Sequence, residues 1–421
     1  MNLTQRDSIY LWHPLTQHKT AIAPLPIVKA KGALLWDENG KQYIDGISSW
    51  YTSMYGHCNE EITAAMTKQM QELDFVMFSG LTHKPAIELS EKLMKILPSN
   101  QAKIFFNDNG STAVEAAIKM ALQFHFNNGE NRDTLIAFEN GFHGDTFGAM
   151  SASGIASYNA PFEDFLLKVE RIPVPTEHNL AEIVQTLNHI LENNNCAAFL
   201  FEPLIQGAAG MKFHSVEGLD ALIAKCQKHK VLCVADEIMT GFGKTGTNFA
   251  CDQLTQQPDI MCLSKALTAG MFPLSITSCT QHIYNAFLSE EVHKGFFHAH
   301  TFSAHPLGCA AAIAGLELLN SPTIVAKREW ISTSHNAFSE KIKEHSKVAN
   351  VRSKGVILAI DLAIPMDRYG SLRDELYQFF VERGLLIRPL GNTLYLLPPF
   401  VITESDLEKC YVILEEALNT F

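Results

Sequence analysis

The 421-residue chain has no basic block to set against its acidic excess: 33 Lys and Arg face 45 Asp and Glu, a formal net charge of −12. The electrostatic footprint of a nucleic-acid binder is therefore missing, and a small or neutral partner is expected. No stretch approaches the ~18 uncharged apolar residues that a membrane span needs. Met1 to Ser8 has neither a basic region nor an apolar one, so the expected setting is cytoplasmic. The nine cysteines (58, 196, 226, 233, 251, 262, 279, 309 and 410) are odd in number and contain no Cys-x-x-Cys pair. Most lie in apolar runs such as Val231-Leu232-Cys233-Val234, which reads as buried thiols under reducing conditions. Internal repeats and low-complexity linkers are also lacking. What remains, 47% apolar and 19% charged residues, is the composition of an ordinary globular protein, long enough for two or three structural units.

From about residue 60 to 300, short β-type runs alternate with helical periodicity, which predicts βαβ units and a mainly parallel sheet covered by helices on both faces. The strand candidates are 102–106, 134–138, 197–201, 231–235 and 260–263. Ligands of open α/β sheets bind outside the carboxyl ends of the strands, so functional residues are sought there. Residues 32–45 read instead as two alternating strands around the turn Glu38-Asn39-Gly40. Beyond about 325 come a helix, a strand at 356–362, a helix near 371–383 and a strand at 393–397. The expected organisation is a large α/β domain at 51–320, with 1–50 and 321–421 forming a smaller α+β unit.

Three strand ends carry chemistry. Asn109-Gly110-Ser111-Thr112 precedes apolar residues at 114, 117, 118, 121 and 122, so a helix starts there, with Thr112 and Glu115 fitting a capping box. Unpaired N–H groups at such a start can seat a phosphate, although any capped turn between strand and helix looks the same. The run 231–235 leads into Asp236-Glu237, and 260–263 into Ser264-Lys265. An amine directly after a buried strand is costly to desolvate unless it is paired or used covalently, and taken alone Lys265 reads as a surface lysine at a strand end. Pyridoxal 5'-phosphate (PLP) needs these elements together: a lysine for the imine, a carboxylate for the pyridine nitrogen and a helix N-terminus for the phosphate. Phe142, in the glycine-flanked turn after 134–138, either stacks on such a ring or is a core side chain of an ordinary glycine turn.

Competing motifs fare worse. Gly241 to Gly246 matches G-x-G-x-x-G, but Glu237 to Thr240 separate it from the strand and no helical apolar face follows. A P-loop reading of Gly243-Lys244-Thr245 needs glycine where the chain has Ile238. His298 and His300 have no carboxylate or cysteine at ligand spacing, so no metal is expected.

Asp236 to Gly246 and Ser264 to Gly270 resemble the class III aminotransferases of PLP fold type I. The resemblance runs over almost the whole chain, through Trp12 to Thr16, Asp45 to Trp50, Asn140 to Gly148, Glu202 to Gly210, His298 to Phe302 and Ile387 to Gly391. It is nearest to the biotin-pathway branch, whose members move an amino group from S-adenosylmethionine to 8-amino-7-oxononanoate. Ala208 favours that branch over ornithine-type enzymes, which commonly carry Glu there.

The resemblance implies that Lys265 forms the imine and shuttles the proton while Asp236 holds the pyridinium. Gly110 and Ser111 would bind the phosphate, Phe142 cover the ring, and Thr301 reach the phosphate from a partner subunit, making a homodimer with its sites at the interface. Trp50, Asp145, Lys244, Ala299 and Arg388 would face substrate, Arg388 pairing with the acceptor carboxylate as a bidentate guanidinium can. The family usually has Tyr at Leu15, Trp at Tyr51, Tyr at Phe142, Arg at Lys244 and Pro at His300. Each lost anchor is worth about 1 kcal/mol or more when desolvated, and lysine is the alternative donor. Another ω-aminotransferase or a racemase on the same scaffold, a nicotinamide oxidoreductase and a non-catalytic binding module are the remaining alternatives.

Overall fold

The structure, a computed structural model, describes residues 1–421. Its centre is a seven-stranded sheet in the order Gln101–Asn107, Ser275–Thr280, Ile260–Leu263, Leu232–Asp236, Cys196–Phe201, Thr134–Phe138 and Val169–Ile172. All neighbours pair in parallel except around Ser275–Thr280, which runs antiparallel to both its partners. That strand follows Ile260–Leu263 after only residues 264–274, too short a stretch for a helical crossover. The strands Cys196–Phe201, Leu232–Asp236 and Ile260–Leu263 are buried along their whole length, as central parallel strands covered on both faces must be.

All five strands expected for this sheet are present within one residue at each end. Two others had no sequence signal. Val169–Ile172 is an edge strand carrying Glu170 and Arg171, half-buried and so without apolar alternation. Ser275–Thr280 is rich in hydroxyl residues and reads as a loop; in the fold Ser275 Oγ donates to the Asn109 carbonyl (2.6 Å), Thr277 Oγ1 to the Ala113 carbonyl (2.8 Å) and Ser278 Oγ to Gln101 Oε1 (2.7 Å). Its hydroxyls thus tie the sheet to the start of the helix Gly110–Asn127 instead of facing water.

That helix begins where expected, but its capping box lies one turn earlier than the Thr112 and Glu115 pair. Asn109 Oδ1 accepts the Thr112 N–H (3.1 Å) and Thr112 Oγ1 accepts the Asn109 N–H (3.0 Å). Glu115 turns away and accepts from Thr146 Oγ1 (2.7 Å) and the Ala149 N–H (3.2 Å).

The strands Ile27–Lys31, Leu34–Asp37 and Gln42–Asp45 form an antiparallel meander, completed by Leu385–Leu386, which pairs in parallel with residues 44 and 45. Val348–Lys354, Ile357–Leu362 and Thr393–Leu396 make a second antiparallel sheet. The half-exposed Val348–Lys354 was not anticipated. Eight cysteines are buried and Cys58, read with the rest as buried, is exposed. No single helix is long and apolar enough to cross a membrane.

Gly355 closes the turn of that second sheet at φ +57°, and a Cβ there would stand 2.3 Å from the Lys244 carbonyl oxygen and 2.5 Å from the Gly246 nitrogen. Both the left-handed backbone and the contact with rigid backbone exclude a side chain. Gly355→Ala should lower unfolding free energy by about 2 kcal/mol or more in urea titration. A change below about 0.5 kcal/mol would contradict the packing described.

Candidate active site

Two parallel strands deliver the central acid and amine. Asp236 ends Leu232–Asp236 and is 3% exposed. Next to it Ile260–Leu263 runs into Ser264, whose Oγ donates to the Leu274 carbonyl (3.0 Å), and then Lys265 at φ 49°. A left-handed lysine costs about 1 kcal/mol, and the short 3-10 turn Lys265–Thr268 begins from this strained position. Desolvation holds the Lys265 amine below the usual lysine range, while the charges of Asp236 and Glu202 pull the other way.

Asp236 is locked from two sides. Its Oδ1 accepts the Ile238 N–H (3.1 Å), and its Oδ2 lies 2.8 Å from His143 Nδ1. Because the carboxylate is acceptor-only, Nδ1 carries the proton, and Nε2 is left buried without a partner. The His143 backbone N–H donates to Ser153 Oγ (2.8 Å). Beside it the Glu202 carboxyl accepts the N–H groups of Phe142 (3.1 Å) and Gly207 (2.9 Å). Burial pushes Glu202 up to about 7, with His143 opposing the shift and Asp236 adding to it.

The helix Gly110–Asn127 points its start at the same place. The Asn109 cap takes the Thr112 N–H, so the Gly110 and Ser111 N–H groups have no intrahelical partner. A Cβ on Gly110 would stand 3.1 Å from Ile238 Cγ2, which puts this helix start against the turn after Asp236. At Gly144, φ +135°, a Cβ would fall 2.1 Å from Ser111 Oγ. Only glycine lets the loop approach so closely, and the Asp145 N–H donates to that hydroxyl (3.2 Å).

The substrate side is built on an unusual turn. Ser48 to Tyr51 all have positive φ (49°, 45°, 71° and 71°), one left-handed turn of non-glycine residues. Buried Asp45 holds it, accepting from the Ser49 N–H (3.0 Å), Ser49 Oγ (2.9 Å) and His57 Nε2 (2.7 Å). The turn places the Tyr51 ring 5.0 Å from Lys265 Nζ and the exposed Trp50 ring 5.6 Å from the Arg388 guanidinium. Tyr51 is itself buried, its hydroxyl donating to Tyr395 (3.1 Å).

Thus Lys265, Asp236, Gly110, Ser111 and Phe142 sit together in one chain, and Trp50 and Arg388 share the flank beyond Tyr51. Asp145 is exposed at the rim, its carboxyl raised by desolvation. Thr301 and Ala299 are exposed on the segment before the helix Pro306–Leu319. Lys244 is fully buried and directed inward: its Nζ donates to the Gly241 carbonyl (2.8 Å), and burial, then the nearby Lys265 charge, pull its amine well below the usual range. His143 and Glu202 stood in recognised motifs, but their part in the site depends on contacts across 93 and 60 residues that spacing does not reveal.

The donor set fits PLP: free N–H groups for an anion, an oriented buried carboxylate for a protonated ring nitrogen and a desolvated amine for a carbonyl. The family description Aminotransferase class-III matches residues 15–418. The chain belongs to this family. It is 43% identical to the adenosylmethionine-8-amino-7-oxononanoate aminotransferase of Synechococcus elongatus, across 97% of this chain and 98% of that one. Among class-III and related structures, the enzyme of the same name from Methanocaldococcus jannaschii superposes with a TM-score of 0.94 at 33% identity, covering 99% of this chain and 98% of that chain. An amine transaminase from an uncultivated Pseudomonas species, in its PLP-bound form, gives 0.90 at 28% identity over 97% of this chain and 98% of that chain.

The geometry predicts that reductive methylation of Lys265 in the cofactor-free enzyme, followed by peptide mass spectrometry across pH, will have its midpoint below 10.5. In Glu202→Gln the midpoint should fall further, because that carboxylate raises the amine's proton affinity. A midpoint at or above the ordinary lysine value would contradict the desolvation described.

Proposed function

We propose that this enzyme is a cytoplasmic, homodimeric PLP-dependent transaminase of biotin synthesis that converts 8-amino-7-oxononanoate to 7,8-diaminononanoate, with S-adenosylmethionine as amino donor. The carrying observation is the convergence of Lys265, Asp236 and the 110–111 helix start in a chain whose full-length relatives are named for that reaction. Residues 51–320 are taken as the large domain, and 1–50 with 321–421 as the smaller one.

The Gly110 and Ser111 N–H groups and the Ser111 hydroxyl would hold the phosphate, and Phe142 would pack on the ring. Thr301, exposed in the single chain, is assigned to the phosphate of a second copy. Bound PLP supplies an electron sink for the pair released when the donor's α C–H bond breaks. Asp236, oriented by His143 Nδ1, keeps the ring nitrogen protonated. Lys265 Nζ, kept more in its unprotonated form by desolvation, takes the α-proton and later returns one to the acceptor carbon. Arg388 pairs with the acceptor carboxylate over the Trp50 ring, and Asp145, Ala299 and Lys244 are assigned to the surrounding pocket.

A second reading keeps the acceptor and makes lysine the donor. Supporting it, the ring at Phe142 offers no hydroxyl and the Lys244 amine is engaged with Gly241 inside the chain. Adding S-adenosylmethionine to the PLP-loaded enzyme without acceptor should replace the lysine-bound cofactor band by the absorbance of pyridoxamine phosphate. A band that yields only to L-lysine would select the second reading, and one that persists with both would contradict transamination from either donor.

A further inference from the structure

We propose that Arg368 forms a second carboxylate site in the pocket, which takes the α-carboxylate of the amino donor and leaves Arg388 to the acceptor. The inference rests on the transaminase reading above and deepens it.

Arg368 lies in the connection between Ile357–Leu362 and Ser371–Glu382. Its Nη1 donates to the Ala208 carbonyl (2.9 Å), its Nη2 to the Tyr158 hydroxyl (3.3 Å), and the guanidinium sits 5.4 Å from the Tyr158 ring. Tyr158 in turn bonds the Tyr369 hydroxyl (2.5 Å) and meets the Phe142 ring edge to face at 6.2 Å. Arg368 is therefore fixed through Tyr158 one ring away from Phe142, the residue assigned to the cofactor ring, with most of its five N–H donors unused. Arg132, Arg352, Arg373 and Arg383 each meet a carboxylate within 4 Å, whereas Arg368 and Arg388, like Arg6, Arg171 and Arg328, do not. Both arginine charges favour ionisation of the Tyr51 phenol, although burial dominates and carries that group up to about 12. Both guanidinium charges are thus felt at the Tyr51 ring, which lies 5.0 Å from Lys265 Nζ. Asp236 and Glu202, the carboxylates that act on Lys265, already have partners in His143 and the Phe142 and Gly207 N–H groups. Half-buried Arg368 therefore keeps N–H donors that no carboxylate of the chain occupies, and a carboxylate arriving with the substrate would fill them.

Substrate chemistry explains why two sites are needed. The donor's carboxylate is attached to the carbon that reacts, whereas the acceptor's stands at the far end of an aliphatic chain. With the reacting carbon held at Lys265 Nζ in both half-reactions, the two carboxylates fall at different distances from it. Guanidiniums at separate positions meet both without rearrangement.

The test is a mutant cycle on the donor half-reaction of the PLP-loaded enzyme. Wild type and Arg368→Gln are each compared with S-adenosylmethionine and its decarboxylated form, and in parallel with L-lysine and cadaverine. Loss of the carboxylate should slow the wild type about tenfold or more, with a like loss for Arg368→Gln on the intact donor. The variant should no longer distinguish the two members of a pair, and its acceptor half-reaction should stay within about twofold. Arg368→Lys, which keeps the charge, should recover part of the discrimination, and Arg388→Ala should impair the acceptor half-reaction instead. A wild type that uses a donor while Arg368→Gln still discriminates fully, or loses both half-reactions equally, overturns the Arg368 assignment alone. A wild type that reacts with neither donor overturns the functional reading and this inference with it.

Discussion

Everything in the site depends on the desolvation of one amine. Lys265 stands at the mouth of a central parallel strand in a left-handed backbone position, where burial lowers its proton affinity while Asp236 and Glu202 restrain the shift. An isolated lysine there would be a liability. With His143 fixing Asp236 and the Phe142 and Gly207 N–H groups fixing Glu202, the charges around it are oriented before any ligand enters, which is the condition for electrostatic catalysis without reorganisation. The sheet supplies this arrangement because parallel strands present their carboxyl ends on one side, so Asp236 is registered against Cys262, three residues before Lys265.

The opposite wall answers to a different constraint. Four successive non-glycine residues, Ser48 to Tyr51, are left-handed, a conformation costing roughly 1–2 kcal/mol per residue. Asp45 offsets part of that by gathering Ser49 and His57, and Ser48 Oγ adds a bond to the Leu397 carbonyl (2.7 Å). The result sets Tyr51 under Lys265 and Trp50 toward Arg388. Strain concentrated where substrate must be aimed, and held by buried hydrogen bonds, is how a rigid pocket can be made from a loop.

The parts of this that were legible in the sequence are those governed by local physics. Uninterrupted apolar runs mark the buried strands and a polar turn follows most of them, so Lys265, Asp236 and Gly110 with Ser111 are readable from the sequence as strand-end candidates. Ser275–Thr280 escaped because its hydroxyls are satisfied by the Asn109 and Ala113 carbonyls, a tertiary solution to what looks like a loop composition. The capping box was misassigned because both Asn109-x-x-Thr112 and Thr112-x-x-Glu115 satisfy the spacing, and only contacts with Thr146 and Ala149 draw Glu115 away. His143 and Glu202 lie in motifs the sequence shows, but their part in the site depends on long-range contacts with Asp236 and the Phe142 N–H that spacing does not reveal, and nothing in the sequence around Arg368 distinguishes it from an ordinary loop residue.

Two buried lysines whose amines are both depressed, Lys265 and Lys244, make the central claim open to a direct check. Borohydride reduction of the PLP-loaded enzyme, followed by digestion and peptide mass spectrometry, identifies the amine bonded to the cofactor. The account predicts the phosphopyridoxyl group on Lys265 and none on Lys244, whose Nζ is bonded to the Gly241 carbonyl. Labelling of Lys244, or of any lysine away from the end of Ile260–Leu263, would contradict it.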